Sequence, residues 1–442
     1  GSARPRLTSP TDFEVSAQLR ENGPMRAYRE ILTLPGAWQF SAAGLLARSG
    51  GAMMGLGIVL MVSALYGSYG LAGALVAANA AAWALGTAVL SNLVDRYGQR
   101  KVMYPATIAS AATLAVLVAF AILQLPAWTL FAPAIISGAT GGSPGALVRA
   151  RWSHVTSDAR QLHAAFSLES TLDEVTFVVG PVLATALSTS VHPAAGLIAP
   201  IVLSLLGAQL FYSQRATEPP VAPQPAPGTE RPAAMRRFIL LTPGVAAIVV
   251  VNLLIGCVFG GVDVSVVAAT TDWGFRSASG IILAAFSGAS GVAGLLYGAR
   301  QWHSPLPGRF ATGVIALFVA TLGLHLTSSV LVLSAIGVLI GLTVAPTFIN
   351  GNTLIGRLVL RERLTEGLSW MGTGIGIGVA IGSSIAGAVI DTGGYPAGFS
   401  VVTGFAALAA LIAVASLASV RRAERRASTE DDVDGEREAL FE

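Results

Sequence analysis

The sequence is governed by apolar runs of the length that hydrocarbon demands. A bilayer's apolar core is about 30 Å thick, so a helix rising 1.5 Å per residue needs roughly 20 apolar residues to cross it. Runs of that length lie near 37–64, 70–93, 102–124, 127–148, 164–188 and 193–213, and again near 245–270, 277–299, 308–326, 329–355, 366–390 and 396–419. Hydrocarbon offers no water to a peptide group, so each run is expected to close its own hydrogen bonds as a helix. Only 12% of residues are charged, against about 25% in a soluble domain. The expected fold class is an all-α membrane protein with twelve transmembrane helices in two pseudo-symmetric six-helix bundles.

The division into bundles rests on "RATEPPVAPQPAPGTERPAAMRR", residues 215–237, whose prolines and charges read as an extended, solvated linker. It separates an N-terminal segment 1–36 and a first bundle 37–214 from a second bundle 238–420 and a charged tail 421–442. The tail is expected to anchor at the surface through Arg421, Arg422, Arg425 and Arg426 and then to be disordered. The halves echo each other at a shift of about 200 residues: Ser91 to Asp95 falls on Gly294 to Gly298, and Gly138 and Thr140 fall on Gly341 and Thr343. Two related bundles facing each other suit a fold that rocks about a central site. Chance similarity among Gly-rich helices is the other reading.

Orientation follows from the arginines. Alternate loops hold Arg96, Arg100 and Lys101; Arg149, Arg151 and Arg160; Arg231, Arg236 and Arg237; Arg300 and Arg309; and Arg357, Arg361 and Arg363. The opposite loops hold only Arg276. Because cytoplasmic loops retain Lys and Arg, both termini are expected in the cytoplasm, and the polar opening segment, with no apolar leader core, agrees. The expected location is the plasma membrane.

Several function classes drop out. A net charge of +3 spread over short segments gives no stripe for nucleic acid. Lys101 is the single lysine and follows Arg100, so the chain has no GxxxxGK[ST] phosphate loop. A lone Cys257 excludes an intrachain disulfide and a cysteine-rich metal site. With no nucleophile beside a base, no metal cluster and no cofactor fingerprint, neither enzyme chemistry nor a metal or cofactor is expected.

Between the second and third runs stands "SNLVDRYGQRKVM", residues 91–103. Gly98 permits a tight turn, and Asp95 at a helix end can face the positive N-terminus of a helix in the other half. An ordinary basic loop would need the arginines but not Asp95 and Gly98 at this spacing. The stretch resembles the signature loop of the major facilitator superfamily, GxLaDrxGrkxvl, with Asp95, Arg96, Gly98, Arg100 and Lys101 matching by position. Ser91 replaces the usual first glycine, and Gln99 the first basic residue after Gly98. With the spans and the linker, the resemblance covers roughly 37–420. It implies a transporter that works by alternating access, with this loop as a latch of the outward-open state. The equivalent loop of the second half, "GLLYGARQWHSP" from Gly294, has Gly298 where Asp95 would fall, so the latch is expected to be one-sided.

The fifth run opens with Glu169, Asp173 and Glu174. An acid at mid-membrane costs about 2.5–3.5 kcal/mol on insertion scales, so these should face protein or water. At 100° per residue all three can point into a central cavity. Crowded, part-desolvated carboxylates hold protons more tightly than free ones, so the group is expected to exchange a proton near neutral pH. Glu174 is the foremost candidate and Asp173 the second, with Arg48 of the first run as counter-ion. A static structural pair is the alternative reading. Beyond them, "VVGPVL" resembles the core of the facilitator antiporter motif gxxxGPxxGG through Gly180 and Pro181, which implies exchange of solute for protons; an incidental kink is the plainer account.

Polar groups inside other runs are candidate substrate contacts or helix-packing contacts: Asn79 and Trp83, Asn252 and Asp263, Asn350, and Trp370. Asp263 leads them because no base neighbours it in sequence. Together these features give an expected proton-coupled efflux transporter for small, partly apolar molecules, resembling the drug and solute exporters. Its expected partners are substrate, protons and the lipid bilayer, and it is expected to be a monomer. A proton symporter importing a small polar metabolite and a non-transporting receptor or scaffold are the alternatives.

Overall fold

A computed structural model describes residues 24–221, 244–298, 300, 302, 304–359 and 364–439. After a short helix, Pro24–Leu32, come α1 Ala37–Tyr66, α2 Tyr69–Tyr97, α3 Gln99–Ile122, α4 in two pieces, Phe131–Gly141 and Pro144–Val155, α5 Ala159–Ser190 and α6 Ala195–Ser213. The second half holds α7 Val245–Asp272, α8 Ala278–Gly298, α9 Leu306–Leu322 and α10 Val330–Leu358. A last helix, Leu364–Ala439, is interrupted by the non-helical Gly394, which separates α11 from α12. Ten helices among the described residues are long and apolar enough to span a membrane. Dividing the last of them and adding the two-piece α4 gives the expected twelve.

Local chemistry explains the ends. Ser68 and Asp158 accept hydrogen bonds from Leu71 N (3.0 Å) and Gln161 N (2.7 Å), capping α2 and α5. In α4, Gly142 takes φ 61°, a conformation that favours glycine, and Pro144 then opens the second piece where a missing N–H costs nothing. The break frees a carbonyl, and the Trp83 indole N–H donates to Gly142 O at 2.7 Å.

Each half packs through glycines. Gly378 and Gly382 of α11 sit on the carbonyls of Leu253 and Cys257 of α7, and Gly256 and Gly260 of α7 sit in return on Ile375 and Val379. Without Cβ atoms the two backbones touch directly, the contact that membrane helices use where burial against lipid gains nothing. The echo between halves has a structural counterpart. Gly138 of α4 lies on the Asn79 carbonyl of α2, and Gly341 of α10 on the Phe286 carbonyl of α8.

The halves meet chiefly through α2 against α11 and α5 against α8. The Asp391 carboxylate at the end of α11 accepts from Ser68 Oγ (2.7 Å), Tyr69 N (2.7 Å) and Gly70 N (2.8 Å) at the start of α2. Arg276 donates to Leu60 O (2.8 Å) and Ser63 Oγ (2.5 Å) of α1. Among the described residues, all hydrogen bonds between the halves lie toward this arginine-poor face, including those of Ser279 to Thr185 and Ser383 to Gly73 O. Among the described residues, the halves are hydrogen-bonded to each other at that face and not at the arginine-rich one.

Three expectations are corrected. The fourth span does not end at 148: its second piece continues to Val155, so Arg149 and Arg151 belong to a helix rather than a loop. Residues 215–221, assigned to the linker, pack against the first bundle: Thr217 is buried, and its hydroxyl accepts from the buried Arg151 at 2.9 Å. Glu218 Oε1 accepts from Arg100 N at 2.9 Å. Burying Arg151 requires those partners, which draws the segment inward. Residues 222–237 of the linker lie outside the described residues. The tail, expected to be disordered beyond its arginines, continues α12 as helix to Ala439; the Arg357–Glu424 ion pair, 2.8 Å, ties its first turns to α10.

A Gly378→Leu variant is expected to lose about 1–3 kcal/mol by overpacking, read as a lowered melting temperature in detergent. Gly404→Ala, where a new Cβ would meet nothing within 4 Å, is expected to melt like the parent. Equal melting of all three would refute the glycine-mediated contact.

Candidate functional site

Three helices bring charges together inside the first bundle. Glu169 and Asp173 sit one turn apart on α5, about 15 and 21 Å along it from its start at Ala159. Arg48 lies about 17 Å along α1, which runs the same way. The second piece of α4 supplies Arg149 and Trp152, three residues apart and so on one face.

The result is a chain of alternating charge. Arg48 Nη2 lies 2.6 Å from Glu169 Oε2, and Arg48 Nε lies 2.9 Å from Asp173 Oδ1. Asp173 Oδ2 in turn pairs with Arg149 Nη2 at 2.7 Å. Glu169 Oε1 accepts from Ser41 Oγ (2.6 Å) and Trp152 Nε1 (2.7 Å). Two cations and two anions balance. Side-chain exposure rises along the chain, from 0% at Glu169 and 8% at Arg48 to 27% at Asp173 and 33% at Arg149. One end is dry, while the other is partly exposed. Arg48 Nη1 is buried and has no acceptor among the described residues.

Arg48, Glu169 and Asp173 thus stand together, at the positions the helical phase gave them. The Glu174 side chain lies outside the described residues. Ser41, Arg149 and Trp152 were missed. Arg149 read as a loop arginine because hydropathy falls where α4 turns its polar face inward, although Gly142-Ser143-Pro144 carried a visible restart signal.

The remaining candidates scatter. Asn79 Nδ2 donates to Ala134 O of α4 at 2.9 Å, and Asn252 Nδ2 to Ile248 O of its own helix at 2.8 Å. Asn350 pairs with the Tyr297 hydroxyl of α8 at 2.9 Å. These three asparagines are buried, and their bonds hold helices. Trp370 packs against the main core. Trp83 is 40% exposed, with its ring edge against Gly376 of α11. Asp263 is half-buried and has neither a hydrogen-bond nor an ion partner among the described residues. One turn before it stands Phe259, whose ring meets Phe286 and Phe348 edge-on at 5.9 Å each.

In the signature loop Gly98 takes φ 91°, and its N–H donates to Val94 O at 2.8 Å. Asp95, Arg96 and Lys101 are exposed, and Asp95 has no partner among the described residues. Gly180 lets α5 approach Ala52 of α1, and the Pro181 carbonyl meets Gly280 of α8. Gly180 therefore lies at a contact within the first half and Pro181 at one between the halves.

A family model described as Major Facilitator Superfamily matches residues 40–305 and 265–439. No curated protein matches the sequence significantly. Among solved structures, a mutant of the nucleoside transporter NupG is 13% identical with a TM-score of 0.70, over 86% of this chain and 99% of its own. An auto-inhibited POT family peptide transporter is 14% identical at 0.66, over 88% and 97%. The human organic anion transporter MFSD10 (TETRAN) is 16% identical at 0.59, over 87% and 99%. At such identities the likeness is one of fold.

Removing Arg48 leaves Glu169 buried against no cation, so Arg48→Met is expected to cost about 3–5 kcal/mol in a denaturant melt. Arg149→Gln breaks a partly wet pair and is expected to cost under about 1 kcal/mol. Adding Glu169→Gln to Arg48→Met should restore much of the loss, since glutamine can still accept from Ser41 and Trp152. Equal costs for the two arginine variants would contradict the dry-to-wet ordering.

Proposed function

The chain belongs to the major facilitator superfamily, a family of membrane transporters, and from that premise we propose that it exports small, partly apolar molecules in exchange for protons. The observation that carries the reading is the graded exposure of the chain Glu169, Arg48, Asp173, Arg149. Asp173, partly exposed and held by two guanidinium groups, is the carboxylate of the chain that lies nearest the open end, away from the dry pair behind it. Protonating Asp173 removes the charge that holds Arg149 and Arg48 Nε, and frees Arg149. Glu169 keeps Arg48 Nη2 and holds α1 on α5. Asp173 is thus the exchanging group, with Asp263 and Trp83 as the substrate contacts on α7 and α2.

The arginine-rich face is cytoplasmic by the retention of basic residues. With its halves hydrogen-bonded, among the described residues, at the opposite face and not here, the molecule is read as open to the cytoplasm. Two acids then serve as alternate latches on the antiparallel pair α2 and α11. Asp391 caps the N-terminal end of α2 and holds the outer side shut, in a geometry favoured by the helix dipole. Asp95, free at the other end of α2, takes the N-terminal end of α11 when the molecule opens outward. The latch is therefore two-sided, with its second acid on α11 rather than in the α8–α9 loop.

In proteoliposomes given candidate solutes and an imposed proton gradient, the parent is expected to couple solute flux to counterflow of protons. Asp173→Asn is expected to lose gradient-driven flux while keeping passive exchange; full coupling in that variant would exclude Asp173, and solute moving with protons would reverse the sign. For the outer latch, Asp391→Ala should raise the reactivity of a cysteine replacing Ser383, in a Cys257→Ser background, towards an impermeant maleimide. Unchanged reactivity would remove Asp391 from the gate.

A further inference from the structure

Two grooves on the arginine-rich end of the first bundle meet at Arg215. One, about 500 Å³, runs between the start of α1 and the end of α6, along Trp38, Ala42, Leu46 and Leu210. It extends from the helix end to Leu46, nine residues in and so about 14 Å toward the hydrocarbon. The other, about 670 Å³, lies between the start of α3 and the packed segment after α6, and carries Arg100, Lys101 and Arg215 beside Tyr97 and Tyr104. Arg215 lines both.

The second groove holds three bases and one acid, and Glu218 Oε1 is already engaged by the amide of Arg100. None of the three basic side chains has an acceptor among the described residues. The same helices present apolar groups outward, with Ile108 44%, Val116 41% and Leu206 53% exposed; this is a wall that faces lipid chains, not the central cavity. The slot thus joins a basic end at head-group depth, flanked by two tyrosines in the position where such rings favour the interface, to an apolar end reaching into the hydrocarbon.

We propose that this slot binds an anionic phospholipid of the arginine-rich leaflet, with its phosphate on Arg100, Lys101 and Arg215 and an acyl chain along Trp38 and Leu46. Charge complementarity selects the head group, since each base near an anionic surface adds attraction. The continuous apolar groove favours a lipid over free phosphate. Because Arg100 and Lys101 belong to the signature loop, the bound lipid tethers that loop to the bilayer during transport.

The test is native mass spectrometry of the protein released from liposomes of equal phosphatidylglycerol and phosphatidylcholine. The parent is expected to retain phosphatidylglycerol preferentially, and added inorganic phosphate is expected not to displace it. The triple variant Arg100→Gln, Lys101→Gln, Arg215→Gln should lower that preference about tenfold or more. Arg215→Gln alone, outside any helix, should lower it partway and serves if the triple variant fails to fold. Arg422→Gln, on the other bundle, should leave it unchanged. Equal retention of both lipids by the parent, an unchanged preference in Arg215→Gln, or displacement by inorganic phosphate would overturn the proposal.

Discussion

A guanidinium group some 17 Å along a spanning helix has no water to fall back on, and the first bundle is arranged around that fact. Arg48 must find carboxylates within the protein, and both that it finds belong to α5. Those acids in turn need donors, which draws Trp152 and Arg149 from α4 and Ser41 from α1. The Phe40 and Trp152 rings then meet edge to face at 4.8 Å and seal the dry end. Three helices are held in register by one charge that cannot be left alone.

The second bundle is built on the opposite principle. Its longest contact, α7 on α11 and α12, is made by backbones that glycines allow to touch, with little polar chemistry. Asp263, with no partner among the described residues, stands one turn after Phe259, whose ring meets Phe286 and Phe348. One half therefore carries a balanced cluster of buried charge, and the other an apolar frame in which Asp263 has no partner among the described residues. For a fold whose halves rock as bodies, this separates the ion-paired cluster from the apolar surface opposite it.

The parts that were legible in the sequence follow from constraints that act locally. Twelve spans were readable because hydrocarbon thickness fixes run length. Glu169, Asp173 and Arg48 could be matched because helical phase and depth follow from residue spacing, and Gly98 announced its turn. What escaped depends on tertiary contact. Arg149 and Trp152 lie where a polar helix face turns inward, which hydropathy records as the end of a span. Thr217 and Glu218 stand in a Pro-rich stretch that reads as solvent-exposed until Arg151 needs partners. Asp391 belongs to no motif, and only the placement of α11 against α2 reveals what it caps.

The indole of Trp83 joins these parts mechanically. Its N–H holds the broken turn of α4, its helix bears the signature loop, and its ring edge rests on Gly376 of the other half. The short α4 piece beyond that turn is a lever with Gly142 as its fulcrum, and its load is Arg149. In the proposed exchange, where release of Arg149 follows a proton on Asp173, torque on the lever would pass through one side chain to the seam between the bundles, so that a change of charge in one half would arrive at the other as a displacement.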